Sequence, residues 1–545
     1  MKSNFLKSNQ LNRLFNGWTV GFFVIFGLLV FPIGYIIWHL FEPSSDSWKH
    51  ISENLLLGYT INSMILTLGV GALTALFGIP TAWFVSTTDF PLRKQFEWAL
   101  MMPLAIPTYI IAFVYADMFS YTGTFQKAYQ AIFDSAIPFD IMTKGGAILV
   151  MSSVLFPYVY MMARTSFGSQ SQTLIEASKL LGKSNFTTFF RVALPLARPA
   201  IFGALFLIMM DVLNEYGTVK YYGISTFTTG IFKAWLSMGD TSSAIRLSAC
   251  LLVFVLILIL LERWQRGKIS FAESSKSQKP IRREKLKGFW AVVASLVCLI
   301  PLSIGFLIPI TQILFWCVET AEKVVDARFL SWIWNSLTLG IVTAFVAIFV
   351  SIILVYSVRI SKSAWMQKLS KIAVLGYAIP GAIIAVGILA SFTQLDKQLI
   401  NWWATISNQK IGLILTGTIM ALVFAYTIRF LAVSFNSIEA SFEKVAGNLD
   451  EASRTLGAGT WRTLFRVNLP ILKPTLFSAG LMVFVEVMKE LPLTLILRPF
   501  NFDTLSTKAY EMASDELIRE ASSASLLIVL IGMIPVVLVV WFQKR

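Results

Sequence analysis

Twelve apolar runs, each long enough to cross a bilayer, dominate the sequence and leave little room for any fold other than a bundle of spans. They lie near residues 18–40, 60–86, 97–119, 143–166, 194–214 and 243–262, and again near 288–317, 332–358, 369–393, 410–435, 470–492 and 520–542. About 20 residues of helix cover roughly 30 Å of hydrocarbon, so each run reads as one membrane-spanning helix. Composition agrees, with 56% hydrophobic and only 14% charged residues and a mean hydropathy of +0.70; ordinary soluble domains carry about 25% charged residues. The expected fold class is all-α polytopic membrane protein with about twelve transmembrane helices. A formal net charge of +15 then marks loops on the cytoplasmic side and not a nucleic-acid surface.

The basic residues set an expected orientation. The stretch MKSNFLKSNQLNR holds Lys2, Lys7 and Arg13 with no acid, the segment after the sixth run is rich in Lys and Arg against only Glu273 and Glu284, and the chain ends Gln543-Lys544-Arg545. All three are expected in the cytoplasm, which an even number of spans in each half permits. The first run follows basic residues as a signal peptide would, but it is too long for such a core and lacks a small-x-small cleavage site, so a retained span is expected. Cys250, Cys298 and Cys317 sit in apolar runs without metal-like spacing, and His39 and His50 are the only histidines. Disulfide frameworks, zinc sites and histidine catalysis therefore lack material.

The sequence is internally duplicated. YTINSMILTLGVGALTALFGIP, from Tyr59, matches WIWNSLTLGIVTAFVAIFVSI, from Trp332, and pairs Asn62 with Asn335. AIPTYIIAFV and AIPGAIIAVG pair Pro107 with Pro380, two prolines expected to kink their spans. EASKLLGKSNFTTFFRVALPLARPAIF matches EASRTLGAGTWRTLFRVNLPILKPTLF, pairing Gly182 with Gly457, Pro195 with Pro470 and Pro199 with Pro474. The expected organisation is a first repeat at 1–262, a basic linker at 263–287 and a second repeat at 288–545, each repeat holding six spans. Copies with an even number of spans run parallel, related by an axis along the membrane normal, and a transport path between them follows.

Within the third match, Gly182-Lys183-Ser184 looks like the end of a phosphate-binding loop, but such a loop needs a glycine where Ala177 stands. The second copy has Gly457-Ala458-Gly459, so the duplication keeps the glycine and not the lysine that a phosphate cradle requires. Apolar residues at Leu174, Ala177, Leu180 and Leu181 follow helical spacing, Gly182 ends that helix, and Phe186, Phe189 and Phe190 begin a second apolar face. Two short helices at an angle, with apolar positions exposed, want a partner surface. The competing reading is a pair of amphipathic hairpins resting on the lipid interface.

Glu-Ala-Ser-x-x-Leu-Gly with Leu-Pro downstream resembles the EAA loop of ATP-binding-cassette importer permeases, and here it occurs twice, near 174–200 and near 449–475. The resemblance implies a type I importer permease fold and a transport subunit with no catalytic residues. It implies an ATP-binding-cassette ATPase dimer as cytoplasmic partner, which uses ATP and Mg, while this chain binds no cofactor. By the same carry-over Glu176, Ala177 and Gly182, with Glu451, Ala452 and Gly457, are the ATPase-coupling residues; Ser178 and Ser453 stand where the family usually has Ala. YYGISTFTTGIFKAWLSMGD and MKELPLTLILRPFNFDTLSTKAYEMASDE look like segments of the fused, twelve-span permeases of ferric iron importers. That likeness implies a bacterial inner-membrane location, a soluble periplasmic substrate-binding protein as second partner, and ferric iron as cargo. Thiamine and aminoalkylphosphonate importers have related permeases and remain open as alternatives, as does an ion-coupled secondary transporter.

Acids inside spans are expensive and tend to face a pathway or a partner. MMDVLNEYG and FVEVMKELP place Asp211 and Glu215 in register with Glu486 and Glu490. Spaced four apart, each pair shares one helix face. These four are candidate substrate-pathway residues for a hard cation, which favours oxygen ligands without a stable metal site. A salt bridge, with Lys489 at hand, or a helix-end hydrogen bond would satisfy the same acids equally well.

Overall fold

A computed structural model describes residues 17–170, 178, 180–266, 283–407, 412–445 and 447–543. Among these, eleven helices are long and apolar enough to cross a membrane, or twelve if one bent pair is counted as a span. Helices are the only open solution for such segments, because inside hydrocarbon each backbone N–H and C=O must find its partner within the segment. In chain order the principal helices are α1 (Gly17–His39), α2 (Leu56–Thr87), α3 (Arg93–Ala99), α4 (Thr108–Phe119), α5 (Lys144–Ser169), α6 (Leu194–Asn214) and α7 (Thr241–Arg266). There follow α8 (Phe289–Leu302), α9 (Ile308–Val324), α10 (Ala327–Ser361), α11 (Ala364–Ala373), α12 (Gly381–Ser407), α13 (Ile419–Lys444), α14 (Leu469–Lys489) and α15 (Ala521–Gln543).

Two compact units form, and neither is one sequence repeat. The unit built on the second repeat comprises residues 1–45, 240–249 and 330–504, so α1 has left its own repeat to join it. Trp18 on α1 lies 4.9 Å from the Tyr356 ring and 4.3 Å from the Trp461 ring, and its indole N–H donates to Thr460 Oγ1 at 3.1 Å. The unit built on the first repeat comprises residues 46–239, 250–329 and 505–545, and thereby takes in α8, α9 and α15. Tyr115 on α4 donates to the Ile304 carbonyl at 2.7 Å, and Thr320 on α9 donates to the Arg519 carbonyl at 3.2 Å, just before α15. The end of the basic linker is pinned in this unit as well, Glu284–Lys285 pairing in parallel with Thr88–Asp89. The linker's first residues, 263–266, continue α7, and 267–282 lie outside the described residues.

Proline shapes the repeated elements. Leu194 and Leu469 reach back five residues, to the carbonyls of Phe189 and Leu464, closing a π-turn immediately before Pro195 and Pro470. Proline has no N–H to donate and crowds the carbonyl four residues earlier, and the wider turn relieves both problems. Pro107 does more than the kink expected of it. A 3₁₀ turn at Met102–Ala105 ends in Ile106 with φ −98° and ψ 121°, and the helical segments on either side meet at 90°. A residue before proline is driven out of the helical region, so the span breaks there. Val374–Ala378 and Ile379, with φ −87° and ψ 126°, repeat that backbone before Pro380.

Candidate functional site

Each repeat carries a hairpin joined by one helical rod to a break in a span. In the second copy the short arm is Gly447–Thr455, the turn is Leu456-Gly457, and the return arm runs without interruption from Thr460 through α14 to Lys489. In the first copy Glu176 and Ala177 lie outside the described residues; Ser178 and residues 180–266 are described, and the return rod is Phe186–Asn214. The turns are built alike. Lys183 N–H donates to the Ser178 carbonyl at 3.1 Å and Ala458 N–H to the Ser453 carbonyl at 3.1 Å. This is the six-to-one bond of a Schellman cap, which demands a left-handed residue just before the donor. Gly182 and Gly457 supply it, with φ +72° and +81°.

The turns project apolar side chains outward. Leu181 is 76% exposed and Leu456 86%, and Phe186, Trp461 and Phe465 are also exposed. Glu451 and Ala452 lie exposed on the short arm, and Glu451 forms no ion pair among the described residues. Its neighbour Asp450 faces inward instead: Arg359 Nε donates to Asp450 Oδ2 at 2.7 Å, and Asn468 Nδ2 donates to Oδ1 at 3.2 Å. Arg359 also donates to the carbonyls of Phe442 and Val445, tying the foot of α13 to the hairpin.

The far end of each rod stops at an acid. Helix α6 closes at Asn214, and Glu215 is extended with φ −64° and ψ 127°; α14 closes at Lys489, and Glu490 follows with φ −72° and ψ 126°. The expected sharing of one helix face is therefore lost: Asp211 and Glu486 remain on helix, whereas Glu215 and Glu490 have turned out of it. Both turned carboxylates cap the next short helix. Glu215 Oε1 accepts from the Thr218 N–H at 2.9 Å, and Glu490 Oε1 accepts from the Leu493 N–H at 3.2 Å. Asn62 and Asn335, paired by the duplication, buttress the two breaks by donating to the carbonyls of Ser225 at 2.8 Å and Asp503 at 3.0 Å.

The second oxygen of each carboxylate distinguishes the copies. Glu215 Oε2 accepts a hydrogen bond from the hydroxyl of Thr108, the first residue of α4 after the Pro107 break. Glu490 Oε2 faces Arg429 Nε at 3.2 Å, with both side chains under a tenth exposed. Arg429 is held in turn by the Ile379 carbonyl at 3.0 Å, and a Cβ on Gly381, where the first copy has Thr108, would meet Glu490 Oε1 at 2.9 Å. Glu490 is thus a buried, neutralised acid. Glu486 pairs with Lys489 at 3.2 Å. Among the described residues no group of three or more His, Cys, Asp or Glu side chains is arranged to hold a metal ion.

Beyond the first break, a cavity of about 560 Å³ is lined by Tyr59, Tyr216, Thr229, Phe232 and the exposed Lys220 and Lys233. No acid lines it, and its polar groups are hydroxyls, amides and the two lysines. Arg429 was not singled out among the sequence's candidates, although a lone arginine in FAYTIRFLAV is itself a signal.

Comparison with known proteins supplies the class. The family described as binding-protein-dependent transport system inner membrane component matches residues 75–269 and again residues 360–545. The chain is 25% identical to the Fe(3+)-transport system permease protein FbpB 2 of Haemophilus influenzae, over 96% of this chain and 97% of that one. It is 21% identical to the ferric transport system permease protein FbpB of Actinobacillus pleuropneumoniae, over 85% of this chain and 69% of that one. A probable sulfate transport system permease of Chlorokybus atmophyticus is 26% identical but matches only 37% of this chain, against 70% of its own length. Matched once in each half, the chain belongs to the binding-protein-dependent transport system inner membrane components, as a fused multi-pass permease carrying two copies of that domain.

Proposed function

We propose that this permease is the membrane subunit of an ATP-driven importer that takes ferric iron from a soluble binding protein and releases it into the cytoplasm by alternating access. The observation that carries the reading is the duplicated rod: each hairpin exposes a leucine at a left-handed glycine and continues, as 29 or 30 helical residues, to a broken span. Such a rod is about 45 Å long at 1.5 Å per residue, enough to connect an ATPase dimer on the cytoplasmic face with the depth at which cargo passes. In this reading ATP and Mg stay on the partner subunits, and Glu176, Ala177 and Gly182 with Glu451, Ala452 and Gly457 form the docking surface. Closure of the ATPases moves each hairpin and its span as a rigid body. In this reading the basic N-terminal, linker and C-terminal segments are cytoplasmic, as the hairpins are.

Iron is favoured because the relatives that cover nearly the whole chain are ferric permeases by name, whereas the sulfate permease matches about a third. Among the acids, Glu215 beside Thr108 is the pathway group we favour; Glu490 is committed to Arg429 and Glu486 to Lys489. Affinity purification from membranes tests the partnership. The ATPase subunits should accompany the intact chain and be lost from a Leu181→Asp/Leu456→Asp variant. Retention of the ATPase by that variant would refute docking through the hairpins.

A further inference from the structure

In both copies a serine hydroxyl on one arm of the hairpin meets a threonine hydroxyl on the other; the second copy adds Asn468 Nδ2 donating to Asp450 Oδ1 across the arms at 3.2 Å. Ser178 Oγ lies 2.9 Å from Thr188 Oγ1, and Ser453 Oγ lies 3.0 Å from Thr463 Oγ1. In both copies the serine is on the short arm and the threonine ten residues later on the return arm. Both threonines are 1% exposed. Thr463 also donates to the Gly459 carbonyl at 3.2 Å, so its oxygen is left to accept from Ser453. Some neighbours differ, Lys179-Leu180 becoming Arg454-Thr455 and Asn185-Phe186 becoming Thr460-Trp461, while Glu-Ala-Ser and Leu-Gly are kept. With both threonines turned inward, the hydroxyl pair serves the angle between the arms and not the surface they present.

We propose that Ser178–Thr188 and Ser453–Thr463 are positioning pairs that lock each short arm to its return rod, so that a push on the hairpin arrives at the broken span undiminished. The backbone at the turn gives the reason a lock is needed. The Leu-Gly turn between the arms is held only by its backbone cap bonds, and glycine there resists bending least. Alanine in place of the serine leaves a buried threonine hydroxyl with one partner fewer and lets the arms hinge, so part of the ATPase stroke is absorbed in the turn. Arg359–Asp450 fastens the second hairpin to its unit, and Asn468, donating to the same carboxylate, is a second tie between the arms there, so loss of the hydroxyl pair should weaken the first hairpin more than the second. This inference rests on the coupling role proposed above, and its failure is separable from failure of that role. If Leu456→Asp releases the ATPase while the pairs prove dispensable, docking stands and the lock falls.

The test is transport reconstituted with ATPase and binding protein, scored as ferric iron imported per ATP hydrolysed. Ser178→Ala/Thr188→Val and Ser453→Ala/Thr463→Val should each lower that ratio about threefold or more, with the ATPase still co-purifying. The exchange Ser453→Thr/Thr463→Ser, which keeps both hydroxyls, should restore it. A merely structural role would reduce protein yield and leave the ratio alone. A Ser453→Cys/Thr463→Cys pair gives the opposite perturbation, a permanent lock, with single-cysteine variants controlling for Cys250, Cys298 and Cys317. Oxidised protein should import more iron per ATP than the reduced dithiol, which lacks the hydroxyl pair, and about as much as the parent. An unchanged ratio in the Ala/Val variants, or transport lost on oxidation and regained on reduction, would overturn the proposal.

Discussion

Removing Arg429 should destabilise the fold far more than removing both Arg429 and its partner's charge. At the 3.2 Å separation of Nε and Oε2, the attraction is roughly 5 kcal/mol at an effective dielectric of about 20. Burying both ions opposes it, and the net worth of such a pair is small, but stripping away one member leaves the other uncompensated at roughly 3–5 kcal/mol. Arg429→Met leaves a carboxylate that is 7% exposed. Adding Glu490→Gln removes that charge while keeping an oxygen to cap the Leu493 N–H, so the double variant should recover most of the loss. The assay is thermal unfolding of the purified protein in detergent at one fixed heating rate, since unfolding of such proteins is governed by rate. The single variant should unfold well below the parent and the double variant close to it. Additive losses, with the double variant worse than either single one, would refute the description of Glu490 as a neutralised acid. The same variants carry a transport consequence: the double variant should import, because its missing acid was not facing cargo.

Glu215→Gln should reduce ferric uptake with the fold intact, since the amide still accepts from the Thr218 N–H; normal uptake would remove Glu215 from the path. Gly457→Val forces a β-branched residue to φ +81°, a strain of about 1–3 kcal/mol, and should lower iron imported per ATP in the reconstituted system. Asp450→Ala removes the bonds from Arg359 and Asn468 and should loosen only the second hairpin, raising protease cleavage there while the first hairpin's cleavage stays unchanged.

The spans were legible because run length and apolarity are local properties, and the duplication was legible because EASKLLG and EASRTLG are literal repeats. The motif also announced its turn, since glycine after a helical run predicts a left-handed cap, and Gly182 and Gly457 both adopt one. Other features have no local signature. Which helices pack together depends on contacts such as Trp18 with Trp461, far apart in the chain, so the exchange of α1, α8, α9 and α15 between units was invisible. Pro107 was read as a kink because proline inside an apolar run usually bends a helix; the extended Ile106 before it turned the bend into a break. The four acids aligned perfectly by number and still diverge in role, because Thr108 answers one and Arg429 the other from helices the alignment of acids never consulted.

The central claim is that two docked hairpins turn ATP hydrolysis elsewhere into movement of cargo through this chain. Radiolabelled ferric iron uptake into proteoliposomes holding the permease, its ATPase subunits and the binding protein tests it most directly. Uptake should require hydrolysable ATP and all three components, and should vanish in the Leu181→Asp/Leu456→Asp variant. Uptake driven by an ion gradient without ATP, or undiminished in that variant, would contradict the account.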